Sequence, residues 1–474
     1  MKYLICMLFI SLGFFFNPVY AQLRLPSFFS DHMILQRDTV TSIWGWARAG
    51  AEVVVIPDWT TDSLKVTTDG NAKWQLKLPV GKAGKPHRIK IISKKDTVIL
   101  NDVIFGELWL CSGQSNMQWN ALNDLKEMKD VLPGIRNSNI RFLNVSNIAS
   151  AYPQDDLVNS WQLCDSTSAS TFSAIGYFFA EEISKRLNVP VGIINASWGG
   201  TCAEVWTPGE LVMNDELLLK ASQLKKVAPR KPNLPGYAWN SMVHPLVGYT
   251  IAGVLWYQGE DNVASYDSYE RLFAMMIKSW RKSWNDEFPF YFAQIAPYTY
   301  KNKELPKAAY LREQQTFTAL HNERVKMVLT SDLVSDIKNI HPTRKREVAK
   351  RFANVALHEN YKINLQNPYS ALYKAAQVKG DKIEVSFFNM EGNTFDNKSG
   401  EIEGLFIAGE DQVFHQAKAK SMRARLLVYS DQVKKPVAVR YAFSETDETR
   451  LHTTNGLPVS LFRTDNWLQF TKKE

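Results

Sequence analysis

The chain has 474 residues, 45% hydrophobic and 22% charged, which is enough for two or three domains with full cores. The formal charge of +8 is spread along the chain, and its short basic runs, "KSWRKSW" and "TRKREVAKR", fall on helical patterns as solvated faces, so a nucleic-acid partner is excluded. The four cysteines have no paired metal-ligand spacing and give a zinc site no support.

Lys2 precedes the apolar run "YLICMLFISLGFFF", followed by Pro18 and the small residue Ala21. This reads as a secretory signal peptide over residues 1–21, cleaved after Ala21 and too short for a membrane span. Cleavage removes Cys6 and leaves Cys111, Cys164 and Cys202, expected as mostly buried thiols with at most one disulfide. The mature protein is expected to be exported, periplasmic or extracellular, and free of the membrane.

Residues 22–104 run as short alternating strands, among them "TSIWGWA", "AEVVVIP", "KWQLKLP" and "HRIKIIS", between Gly, Pro and Asp turns. That rhythm predicts an N-terminal β-sandwich. Over residues 105–362 the strands "ELWLC", "VGIINA", "TIAGVLWYQ", "FPFYFAQIA" and "VKMVLT" alternate with helical patterns. One helix puts Phe172, Ile175, Phe179, Ile183 and Leu187 on one side; another does so with Leu272, Met276 and Trp280. The fold class is therefore α/β: a three-layer α/β/α unit on a parallel sheet, with β-sandwich segments at both ends. Residues 363–474 return to strands, "KIEVSFF", "LLVYS" and "PVAVRYAF", which form a separate domain or complete the first sandwich around an inserted α/β unit.

In such sheets ligands sit beyond the carboxyl ends of the strands. Ser115 follows "ELWLC" in the stretch "GELWLCSGQSNMQWN", where a sharp turn presents its hydroxyl at that edge. A serine nucleophile needs a base. Among His32, His87, His244, His321, His341 and His358, His341 stands out, in a loop after the last α/β strand and just before a helix, with Pro342 near the helix start and Asp332 and Asp336 upstream. The loops "NASWGGT", with Gly199 and Gly200, and "WYQGEDN", with Gln258, Gly259 and Asn262, offer N–H groups and amides to a developing oxyanion. Trp198, Trp256 and Tyr257 stack on a sugar or pack in the core. His244 and Asn240 line a pocket or cap structure. Glu260 is read as an acceptor that orients loop amides, with no proton-transfer role, and His32, Met33 and Gln36 as structural residues at a domain seam.

Four segments together, "GELWLCSGQSNMQW", "NASWGGTCAEVWTP", "GVLWYQGEDN" and "NIHPTRKREVAKR", resemble the signature blocks of the sialate O-acetylesterase family of SGNH hydrolases. "FSDHMILQR" and "WNSMVHPLVGYTIAG" resemble that family too, so the likeness covers nearly the whole mature chain. It implies a cofactor-free serine esterase, without metal, acting on an O-acetylated glycan. Sialic acids are the first expectation and acetylated xylan or pectin the alternative; a non-catalytic glycan-binding protein is the rival of another class. Carried onto this chain, the resemblance makes Ser115 the nucleophile and His341 the general base. The oxyanion falls to the N–H groups of Ser115 and Gly200 and to an amide of Gln258 or Asn262. SGNH enzymes place an aspartate three residues before the histidine; here that position is Lys338 and the next is Asn339. Asp332 and Asp336 therefore compete as the orienting acid, beside the option of a Ser–His dyad.

Overall fold

The computed structural model describes residues 22–225, 228–300, 305–397, 400–467 and 471–472. The expected signal peptide lies outside them. The organising element is one long strand, Asp96–Gly113. Its first half pairs antiparallel with His87–Ser93 in the N-terminal β-region. Its second half pairs in parallel with Val191–Ser197 on one side and Gly253–Tyr257 on the other. The division expected at residue 104 thus falls inside a continuous strand, where the alternating "DTVILND" gives way to unbroken apolar residues.

The parallel sheet runs in the order Val325–Val328, Phe290–Ala293, Gly253–Tyr257, Asp96–Gly113, Val191–Ser197 and Arg136–Asn144, with Gln162–Asp165 antiparallel at the edge. From Asp96–Gly113 the chain crosses to Arg136–Asn144 on one side, whereas from Gly253–Tyr257 it moves to Phe290–Ala293 on the other, so the crevice at the carboxyl ends of these two adjacent central strands is a topological switch point. The strands are apolar on both faces because both are covered. Leu108, Leu110, Ile194, Val254 and Trp256 join one core, and Trp109, Cys111, Ile193, Leu255 and Tyr257 the other. The helix Tyr269–Trp284 covers the first face with Leu272, Met276 and Trp280, and Ala174–Leu187 covers the second with Ile175, Phe179 and Ile183. Each such buried side chain contributes about 2 kcal/mol over leaving it exposed.

The strands from Leu372 onward pair among themselves in a mostly antiparallel sheet with its own core, including Ile383, Val385, Leu405, Ile407 and Val428. This sheet seats on the helix Lys307–His321, where Arg463 grips both carboxylate oxygens of Glu313 at 2.8 and 2.9 Å. At the N-terminal seam, Gln36 binds both Glu107 and the Leu108 N–H, His32 pairs with Asp102 at 2.7 Å, and Met33 is buried. Cys111, Cys164 and Cys202 are buried free thiols.

Candidate active site

Gly113 ends the central strand with φ +129°, and a Cβ there would lie 2.3 Å from the Tyr257 carbonyl oxygen. Only glycine makes this turn without displacing the neighbouring strand. Gln114 N–H then donates to the Tyr257 carbonyl at 3.0 Å, and the chain enters a short helix, Ser115–Gln118, whose first residue is the serine. The N–H groups at the start of a helix have no partner within it. Among the described residues none accepts from the N–H of Ser115, and the same holds for Gly200.

His341 arrives from the opposite end of the unit. The edge strand Val325–Val328 leads into a loop that travels back across the carboxyl ends, and Pro342 follows at the approach to the helix Lys345–Glu359. The imidazole Nε2 stands 2.9 Å from Ser115 Oγ. In the tautomer protonated at Nδ1, the hydroxyl donates to Nε2, which is the arrangement that lets an imidazole take the serine proton. The ring stacks on Trp119, centroids 4.1 Å apart and planes at 23°. Burial, aided by the charge of Lys345, depresses its pKa to about 4, so the imidazole is an unprotonated acceptor at neutral pH.

The other expected residues divide sharply. The turn that carries Gly200, at φ +69°, approaches the serine through Gly199, whose N–H donates to Gln118 Oε1 at 2.8 Å and whose Cβ, were there one, would lie 3.4 Å from Ser115 Cβ. Lys231 Nζ clamps this turn by donating to the Gly200 carbonyl, itself paired with Asp261 at 3.2 Å. The expectation of an amide donor from Gln258 or Asn262 is corrected. Both are fully buried. Gln258 Nε2 donates to Thr201 O at 3.1 Å and Asn262 Oδ1 at 2.8 Å, while Asn262 Nδ2 donates to Glu204 Oε2 at 2.9 Å. Buried amides must find partners, and these two found each other instead of the crevice.

The orienting-acid expectation is corrected as well. Asp332 binds Arg351 through both oxygens, with His452 at 3.7 Å. Asp336 is exposed and closes its own turn, accepting from Lys338 N–H at 2.8 Å. Neither has a bond to His341 among the described residues. Trp256 and Tyr257 are core residues, while Trp198 is half-buried and donates through Nε1 to Arg230 O. His244 and Asn240 tie down the loop around Ser150–Gln154.

Three residues went unread or underread. Asn116, next to the serine, is buried and donates through Nδ2 to Glu260 Oε1 at 2.6 Å and to Ile340 O at 3.1 Å, while its Oδ1 accepts from buried Lys345 Nζ at 2.6 Å. Burial pushes Glu260 up to about 7 and Lys345 down to about 7. The signal available was the presence of an amide, an acid and a lysine inside three of the signature blocks.

A parallel α/β sheet whose switch point carries a serine hydroxyl against an imidazole defines a carboxylic ester hydrolase of the SGNH-like type. The chain matches the family described as carbohydrate esterase, sialic acid-specific acetylesterase, over residues 106–358, and it belongs to that family. It is 30% identical to the mouse sialate O-acetylesterase over 69% of this chain and 72% of the relative, and 29% identical to the human one over 69% of each. A carbohydrate acetylesterase from Xanthomonas citri superposes with a TM-score of 0.85 at 33% identity, covering 94% of this chain and 100% of that one. The activity class is accordingly that of a carbohydrate esterase.

Proposed function

We propose that the protein removes O-acetyl groups from sialic acids by a two-step mechanism through Ser115. The observation that carries the chemistry is the 2.9 Å contact between Ser115 Oγ and His341 Nε2. As the hydroxyl attacks the acetyl carbonyl, His341 takes its proton, and the oxyanion forms against the N–H groups of Ser115 and Gly200. Collapse breaks the ester C–O bond, His341 returns the proton to the departing sugar oxygen, and an acetyl-serine remains. Water then gives a proton to His341 and attacks; the second collapse releases acetate as His341 passes that proton to the Ser115 oxygen, restoring both side chains.

The sialate substrate is supported by the family description and the mammalian relatives. The Xanthomonas neighbour carries only the broader name of carbohydrate acetylesterase and aligns over more of the chain, which keeps acetylated plant polysaccharide as the second reading. Acetate release from O-acetylated mucin and acetylated xylan, side by side, tests the choice. Faster release from mucin is expected; release from xylan alone overturns the sialate assignment. The leader-like residues 1–21 support export, so processing after Ala21 is part of the proposal.

A further inference from the structure

His341 lacks a carboxylate partner among the described residues, yet the peptide that carries it is held at both polar atoms. The 340–341 carbonyl accepts from Asn116 Nδ2 at 3.1 Å, and the His341 N–H donates to Asn339 Oδ1 at 3.0 Å. Asn116 is itself fixed at both ends of its amide, by Glu260 Oε1 on Nδ2 and Lys345 Nζ on Oδ1, each at 2.6 Å. All three side chains are buried, and Glu260 Oε2 is a buried oxygen without a partner among the described residues. Burying an acid, a base and an amide beside the nucleophile is expensive, and simple packing would be better served by apolar residues. Lys345 Nζ also lies 5.7 Å from the centroid of Trp119, the ring on which His341 stacks.

We infer that Asn116, clamped between Glu260 and Lys345, is a positioning residue that orients His341 in place of a carboxylate, and that the Lys345 cation tunes the imidazole's basicity. The inference rests on the reading of Ser115 and His341 as nucleophile and base. An aspartate partner would favour the protonated ring, whereas a nearby cation disfavours it. The device therefore fixes the base and keeps it in its accepting form from neutral into mildly acidic conditions. The charged and titratable groups acting on this cluster are Glu260, Glu127 and His341 around Lys345, and Lys345, Asp261, Tyr257, Tyr269 and Tyr300 around Glu260.

The test is the pH dependence of kcat/KM for a neutral ester, 4-nitrophenyl acetate, in the full chain. Lys345→Met is expected to move the acidic limb upward by up to about one pH unit, part of the way toward the ordinary histidine range, burial holding the rest of the depression. Lys350→Met, an exposed lysine on the same helix, leaves the limb in place. Asn116→Ala lowers kcat by about 10- to 100-fold at nearly constant KM, as a misoriented base should. Glu260→Gln, which keeps an acceptor for Asn116, retains far more kcat than Glu260→Leu. An unmoved limb in folded Lys345→Met, or, should that variant not fold, an unchanged kcat in Asn116→Ala, overturns the inference. The two readings fail separately: Ser115→Ala retaining activity would sink the esterase mechanism, while these outcomes in a Ser115-dependent enzyme sink only the positioning role.

Discussion

Arg351 holds both carboxylate oxygens of Asp332, at 2.7 and 2.6 Å, and thereby commits that aspartate to the loop's architecture. The pair is nearly buried, with side-chain exposures of 6% and 11%. Asp332→Asn is expected to destabilise the fold by roughly 3 kcal/mol, because it leaves the Arg351 charge buried without its partner. Asp336→Asn, at an exposed turn, is expected to alter turnover by less than about threefold and stability by less than about 0.5 kcal/mol. Chemical denaturation and ester hydrolysis on both variants check this.

The same ion pair has a pH signature. Burial opposes ionisation of Asp332, but the hydrogen bonds and charge of Arg351, with His452 close by, prevail and bring its pKa to about 2. A depressed carboxyl stabilises the fold above its unfolded value and loses that contribution as pH falls through the folded one. Wild-type stability should therefore drop between about pH 4 and pH 2, and Asp332→Asn should flatten that portion of the curve. Thermal unfolding across this range measures it.

Gln258 and Asn262 are expected to matter for folding. Asn262→Ala takes the acceptor from the Ala203 N–H and removes one hydrogen bond each from Gln258 Nε2 and Glu204 Oε2 in a fully buried site. Each orphaned group costs about 1–3 kcal/mol. The variant should show a lowered Tm that scales with its loss of soluble enzyme, while the correctly folded fraction keeps its kcat. A large kcat loss at unchanged Tm would restore the amide to the oxyanion site.

Much of this arrangement was legible in the residues themselves. Unbroken apolar strands such as "VGIINA" announced a sheet covered on both faces, and the loops after them announced the crevice, because strand ends and glycine turns are local signals. Strand Arg136–Asn144 escaped, since "RNSN" at its start masks a short apolar tail. Partner choice among polar groups escaped more deeply. Asp332 stands near His341 in sequence, yet the helix Lys345–Glu359 presents Arg351 to it. Whether an amide faces a crevice or another amide depends on burial that only the packed sheet creates, as Gln258 and Asn262 show.

Gly113 gives a backbone prediction. Replacement by alanine puts a methyl 2.3 Å from the Tyr257 carbonyl oxygen in a positive-φ turn. The turn must open and carry Ser115 with it, so Gly113→Ala should lose activity by about 100-fold or more even where the protein remains folded. Circular dichroism alongside hydrolysis separates the two effects.

The central claim is that Ser115 attacks the acetyl carbonyl with His341 as its base. Its most direct measurement is kcat/KM for 4-nitrophenyl acetate in Ser115→Ala, with far-UV circular dichroism and Tm recorded on the same preparation. The account predicts a fall of about three orders of magnitude or more with both structural readouts unchanged; near-normal turnover by the folded variant would contradict it.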